Sequence, residues 1–67
     1  MKQVFTVDGL VFEARLRKYD DAQHVLAELK SDENDDWEWE IVESAYKSLF
    51  ALRVRDEDGI ITGYLEF

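Results

Sequence analysis

Trp37-Glu38-Trp39-Glu40-Ile41 alternates bulky apolar and acidic side chains without a break. In a pleated strand successive side chains point to opposite faces, so this period predicts Trp37, Trp39 and Ile41 inward and both glutamates outward. The stretch decides the fold because residues 37–52 also admit a helix, with Trp39, Val42, Tyr46 and Leu49 on one stripe. Strict alternation around two tryptophans, followed by a tail rich in β-branched and aromatic residues, favours strands.

Toward the C-terminus, a bend around Ser44–Ser48 leads into Phe50-Ala51-Leu52-Arg53-Val54-Arg55, which alternates again. Asp58-Gly59 is a two-residue turn signal ahead of Ile60-Ile61-Thr62-Gly63-Tyr64-Leu65-Glu66-Phe67. Pairing across that turn sets Arg53 against Tyr64 and Arg55 against Thr62. It places Phe50, Leu52 and Val54 on one face with Ile61, Leu65 and Phe67.

Toward the N-terminus, Ala22, Val25, Leu26 and Leu29 recur at helical spacing, predicting a helix over 21–30. Asp20 is its expected cap, and Gln23 sits where a capping-box partner reaches back. Before it, Gln3–Val7 and Leu10–Arg17 flank Asp8-Gly9, a strong hairpin signal because a type I′ turn needs two residues that tolerate positive φ. Val7 then opposes Leu10, Phe5 opposes Phe12, and Leu16 continues the same face. Lys2, Val4, Thr6, Val11, Glu13, Arg15 and Arg17 fall on the other face.

The predicted architecture is α+β in the order ββαβββ. One helix lies on one face of an antiparallel sheet of about five strands. The 67 residues make a single domain, 1–67, and from Met1 to Phe67 the chain reads as a complete small gene product. A chain this short buries only about 60% of its unfolded surface. It has no Cys, so neither a disulfide nor a thiolate metal site can reinforce it. Its nine aromatic residues supply the packing instead: two Trp, three Tyr and four Phe.

Composition narrows the function. Sixteen acids against eight Lys and Arg give a formal charge of −8, which repels nucleic acid and anionic membranes and attracts basic protein surfaces. No apolar run approaches the ~20 residues of a membrane span, and the N-terminus lacks a signal peptide. The expected location is the cytoplasm. His24 lies beside the apolar stripe of the helix, Ser31, Ser44 and Ser48 have no nucleophile context, and Gly9, Gly59 and Gly63 form no phosphate loop. No catalytic residue, cofactor or metal is expected. Asp32, Asn34, Asp36 and Glu43 match positions of a calcium loop, but Trp37 stands where the sharp turn needs Gly and a strand follows.

Two surfaces remain. In the ββαβββ order, Asp8, Asp32, Glu33, Asp35, Asp36, Asp56, Glu57 and Asp58 all lie in connections at one edge, half of all the acids. Turn chemistry and solubility explain acids in loops equally well. Asp32 and Glu33 nevertheless follow the negative end of the helix dipole, an unfavourable placement of about 0.3–1 kcal/mol per charge. This acidic rim is the candidate site for a basic partner surface, surfaces that handle nucleic acid among them, with carboxylates standing in for phosphates. Stand-alone acidic chains of this size point by association to phage or mobile-element inhibitors and adaptors. The second surface is the sheet face left open by a single helix, marked by Val11, Ala51, Thr62 and Tyr64. That face or an edge strand would make the protein a self-associating assembly module, a homodimer at its simplest.

Overall fold

The computed structural model describes residues 1–31 and 36–67. The chain forms β1 (Lys2–Val7), β2 (Leu10–Arg15), β3 (Arg17–Lys18), α1 (Tyr19–Lys30), β4 (Glu38–Glu43), β5 (Leu49–Arg55) and β6 (Ile61–Tyr64). Among the described residues this is an α+β fold with one helix and antiparallel pairing throughout. The six strands described form two sheets, one of β1 and β2 and one of β3, β5, β4 and β6, rather than a single sheet of five. Residues 37–52 are strand and turn, and the alternative helix does not form.

The first hairpin follows from its turn. Asp8 at φ 51° and Gly9 at φ 81° are the consecutive positive-φ pair that a two-residue turn requires. They set Val7 opposite Leu10, Phe5 opposite Phe12 and Lys2 opposite Arg15. In the second sheet β4 pairs along β5, with Trp39 opposite Val54, Ile41 opposite Leu52 and Glu40 opposite Arg53. On the other side of β5, β3 pairs with its beginning and β6 with its end.

The helix starts earlier than its apolar stripe implies. Lys18 is the N-cap and makes no side-chain cap bond, while Asp20 and Asp21 lie inside the first turn, where the dipole favours negative charge. Ala22 is fully buried, and the Tyr19 ring meets Phe50 edge-on at 5.2 Å. The helix therefore covers the face of β5 that carries Phe50, Leu52 and Val54.

The opposite face is not open. The chain breaks its pairing at Leu16, between β2 and β3, and the first hairpin packs over the sheet. Ala14 and Leu16 pack with Ala51 and Tyr64, and Phe5, Val7, Phe12, Val42, Leu49 and Ile61 surround them. The Phe5 and Tyr64 rings stack at 4.6 Å. The Ala45 N–H donates to Gln3 Oε1 at 2.9 Å, fastening the start of β1 to the turn between β4 and β5. A short chain without Cys thus builds two small apolar layers by covering both faces of one sheet.

Three smaller expectations also change. Trp37 precedes β4 and is 45% exposed rather than inward. Phe67 lies beyond β6 and is 79% exposed. A register shift between Val54 and Arg55 pairs Arg55 with Ile61 instead of Thr62, which turns Ile61 toward the hairpin side.

Candidate functional site: the acidic turns

The β-sheet register decides which acidic segments share an end of the molecule. Glu38 pairs with Arg55, so Asp36, just ahead of β4, lies at the end of β5 from which the Asp56–Ile60 connection departs. The Asp8-Gly9 turn closes the end of its hairpin remote from Gln3, and Gln3 is fastened to the 44–48 turn at the opposite end of β5. Asp36, Asp56, Glu57 and Asp58 are therefore neighbours in the fold, and Asp8 caps the free end of the first hairpin. Asp32, Glu33 and Asp35 of the expected rim, and Asn34 of the calcium-loop pattern, lie outside the described residues.

The members of this rim differ in what they do locally. Asp56 Oδ1 accepts from the backbone N–H of Asp58 at 2.9 Å and from that of Ile60 at 3.0 Å. The Gly59 N–H donates to the Asp56 carbonyl oxygen, and the Asp56 N–H donates to the Ile60 carbonyl oxygen, each at 2.9 Å. The connection is thus a loop organised around the Asp56 carboxylate, not a two-residue turn at Asp58-Gly59. Gly59 at φ 80° is its one positive-φ residue. Asp8, Asp36, Glu57 and Asp58 are exposed and make no side-chain hydrogen bond or ion pair among the described residues. Among the described residues these four carboxylates have no partner, while Asp56 is committed to its own backbone.

A cationic cluster lies next to the loop. Arg53 Nε and Arg55 Nε both donate to Glu40 Oε2, at 2.7 and 2.8 Å, and Arg55 Nη1 donates to the Gly59 carbonyl oxygen at 2.8 Å. Partial burial pushes the Glu40 carboxyl up, but hydrogen bonds and charge from Arg53 and Arg55 outweigh it and hold it below the usual carboxylate range. Burial likewise pulls Arg53 down, and Glu40 and Tyr64 more than compensate, so its guanidinium is held above its ordinary value. Glu40 and Arg53 are direct cross-strand partners, and Arg55 reaches Glu40 from the next position on the same face. They brace the loop base and keep both arginines from neutralising the acids beyond it.

On the second candidate surface, Ala51 is fully buried and Tyr64 is 9% exposed, both beneath the first hairpin. Thr62 is half-buried, and its hydroxyl donates to the Val54 carbonyl oxygen at 3.3 Å. Val11 is 69% exposed on the outside of the hairpin. The four residues do not share a face, because the bend at Leu16 folds one strand pair over the other sheet.

Sequence reasoning also missed Arg17, expected on the outer face and in fact 8% exposed. Its Nε lies 3.3 Å from Asp21 Oδ2, and its Nη2 donates to the Phe67 carbonyl oxygen. The spacing of four between Arg17 and Asp21 was the available signal, hidden because Arg17 reads as strand and Asp21 as helix.

Among the described residues, no group of three or more His, Asp or Glu is placed to hold a metal ion, and no helix is long and apolar enough to cross a membrane. Family models, curated proteins and solved structures give no match to this chain.

Proposed function

We propose that this is a non-enzymatic binding protein whose acidic end occupies a basic surface of a partner protein, in the manner of a small inhibitor or adaptor. The observation that carries the reading is the contrast within the rim. Asp36, Glu57 and Asp58 gather at one end of the second sheet with no partner of their own among the described residues, whereas Arg53 and Arg55 beside them are already engaged by Glu40. Uncompensated surface charge costs self-repulsion, which a basic partner relieves. A row of carboxylates also offers Arg and Lys the negative oxygens that phosphates offer. The partner class is therefore a protein with an Arg- or Lys-rich face, including faces that bind nucleic acid.

Affinity capture from a cell lysate, eluted with a salt gradient, tests this reading. Rim-mediated capture releases its partner at moderate salt, because exposed charges are screened beyond ~10 Å at 0.1 M. Partners that stay bound through high salt would contradict it.

A second reading is supported by the strand edges. β1 pairs only with β2 and β4 only with β5 among the described elements, and Val4, Leu10 and Val11 are exposed on the first hairpin. An unpaired edge beside exposed apolar side chains favours self-association. Light scattering across protein concentration distinguishes the two, since edge-strand dimers persist at high salt.

A further inference from the structure

We propose that the groove between α1 and the segment after β6 is a binding site for a small apolar carboxylate. The groove encloses about 490 Å³, within the range of small-molecule sites. Val25 and Leu29 of the helix face Leu65 and Phe67 across it, and Arg15, Arg17 and Glu28 complete its lining. Arg15 ends β2 and Arg17 begins β3, so the lining draws on both sheets as well as the helix.

Its charge runs against the rest of the molecule. Two guanidiniums and one carboxylate line it in a chain of net charge −8, and with Arg17 already paired to Asp21 the guanidinium without an acid partner is that of Arg15. Glu28 is also turned toward His24, 3.5 Å away. Arg15 makes no ion pair or side-chain hydrogen bond among the described residues. Arg17 is nine-tenths buried, and although its Nε and Nη2 are engaged, its Nη1 is buried without a hydrogen-bond partner. A buried charged donor left unpaired is costly, and an anion drawn to the groove offsets that cost. Phe67 is 79% exposed, so its ring can shift over a ligand with little loss of packing.

These features fix the ligand class. The apolar walls require a hydrocarbon or aryl body, and the one guanidinium without an acid partner, that of Arg15, matches a monoanion. A carboxylate is the planar two-oxygen group that a guanidinium fork recognises. The exposed Arg15 guanidinium meets the headgroup, and Arg17 Nη1 is the second donor of the lining without a partner. This site is separate from the acidic turns and does not depend on their role.

The test is an NMR titration of the ¹⁵N-labelled chain with octanoate, with 1-octanol and octyltrimethylammonium as probes of the same chain length. Octanoate should shift the amides of Arg15, Val25, Leu29, Leu65 and Phe67 and bind at least about ten-fold more tightly than either control, as expected for a charge-assisted contact. Arg15→Gln, at an exposed position, should fold normally, weaken octanoate about ten-fold and leave 1-octanol unchanged. Equal binding of octanoate and 1-octanol, insensitivity to Arg15→Gln, or shifts confined to the outside of the first hairpin would each overturn the proposal. So would the absence of any shift at millimolar octanoate.

Discussion

Asp8-Gly9 and Asp58-Gly59 are the same dipeptide set between apolar strands, yet they close their hairpins differently. At the first, both residues take positive φ and the strands pair without interruption down to Lys2 and Arg15. At the second, only Gly59 does so, the connection lengthens to Asp56–Ile60, and the register slips by one residue beyond Val54. The difference comes from the residue two places before Asp58. Asp56 offers a carboxylate that captures two backbone N–H groups, and that local competition wins over the two-residue turn. No equivalent residue competes at the first turn, where Thr6 points outward and Val7 has no polar atom. Turn chemistry thus also decides which acids are available: Asp8 and Asp58 face solvent, and Asp56 does not act as a free charge.

The comparison predicts a graded set of effects. Gly9→Val should be the most damaging, because a β-branched residue at φ 81° is strained and its only turn neighbour is already at positive φ. A loss of about 1–2 kcal/mol lowers the melting temperature of a domain this size by roughly 5–15 °C. Nothing lies within 4 Å of an added Cβ at Gly9 or Gly59, so the cost at both is backbone strain alone. Gly59→Val should cost less, since four further loop residues share the strain. Equal losses would mean that the two turns are equally constrained.

Asp56→Ala should come next, at about 1 kcal/mol by chemical denaturation, because two N–H groups lose their acceptor. Asp56→Asn keeps the oxygen and should cost less. Asp58→Ala and Glu57→Ala should be near neutral. If Asp58→Ala proved as costly as Asp56→Ala, the second connection would be the simple turn after all.

The smallest effect concerns Glu40, which braces the second loop through Arg55. Its folded carboxyl titrates below the unfolded value, so its stabilisation is complete above that value, near 4.3, and fades as pH falls through the lower folded one. The stability difference between the parent and Glu40→Gln should therefore shrink between about pH 6 and about pH 3. A difference constant across that range would separate Glu40 from the charge network.

Much of the fold is legible in the sequence because its period is. The first hairpin register, the bend at 44–48 and the pairing of Arg53 with Tyr64 follow from alternation and turn residues. The break at Leu16 leaves no such mark. Leu16 is an apolar residue in an alternating run, and only burial against Ala51 and Tyr64 reveals the chain bending there. A single sheet with an open face was the reading that ignored this bend, and it left Ala51 and Tyr64 exposed and Arg17 outside. In the candidate site, the shared end of Asp36 and residues 56–58 was readable from element order. The role of Asp56 was not, since carboxylate-to-backbone bonding depends on loop geometry.

In the proposed function, carboxylates at the acidic turns, and not net charge in general, draw in a basic partner. The most direct measurement is the association rate of a captured partner, across ionic strength, for the parent and two variants of equal charge. Asp36→Asn, Glu57→Gln and Asp58→Asn together remove the charges gathered at one end of the second sheet, and Glu13→Gln, Asp20→Asn and Glu66→Gln remove three charges elsewhere. The account predicts that the rim variant associates at least about ten-fold more slowly at low salt, with the salt dependence flattened, while the control stays near the parent. Equal slowing by both variants would show that only net charge matters and would contradict it.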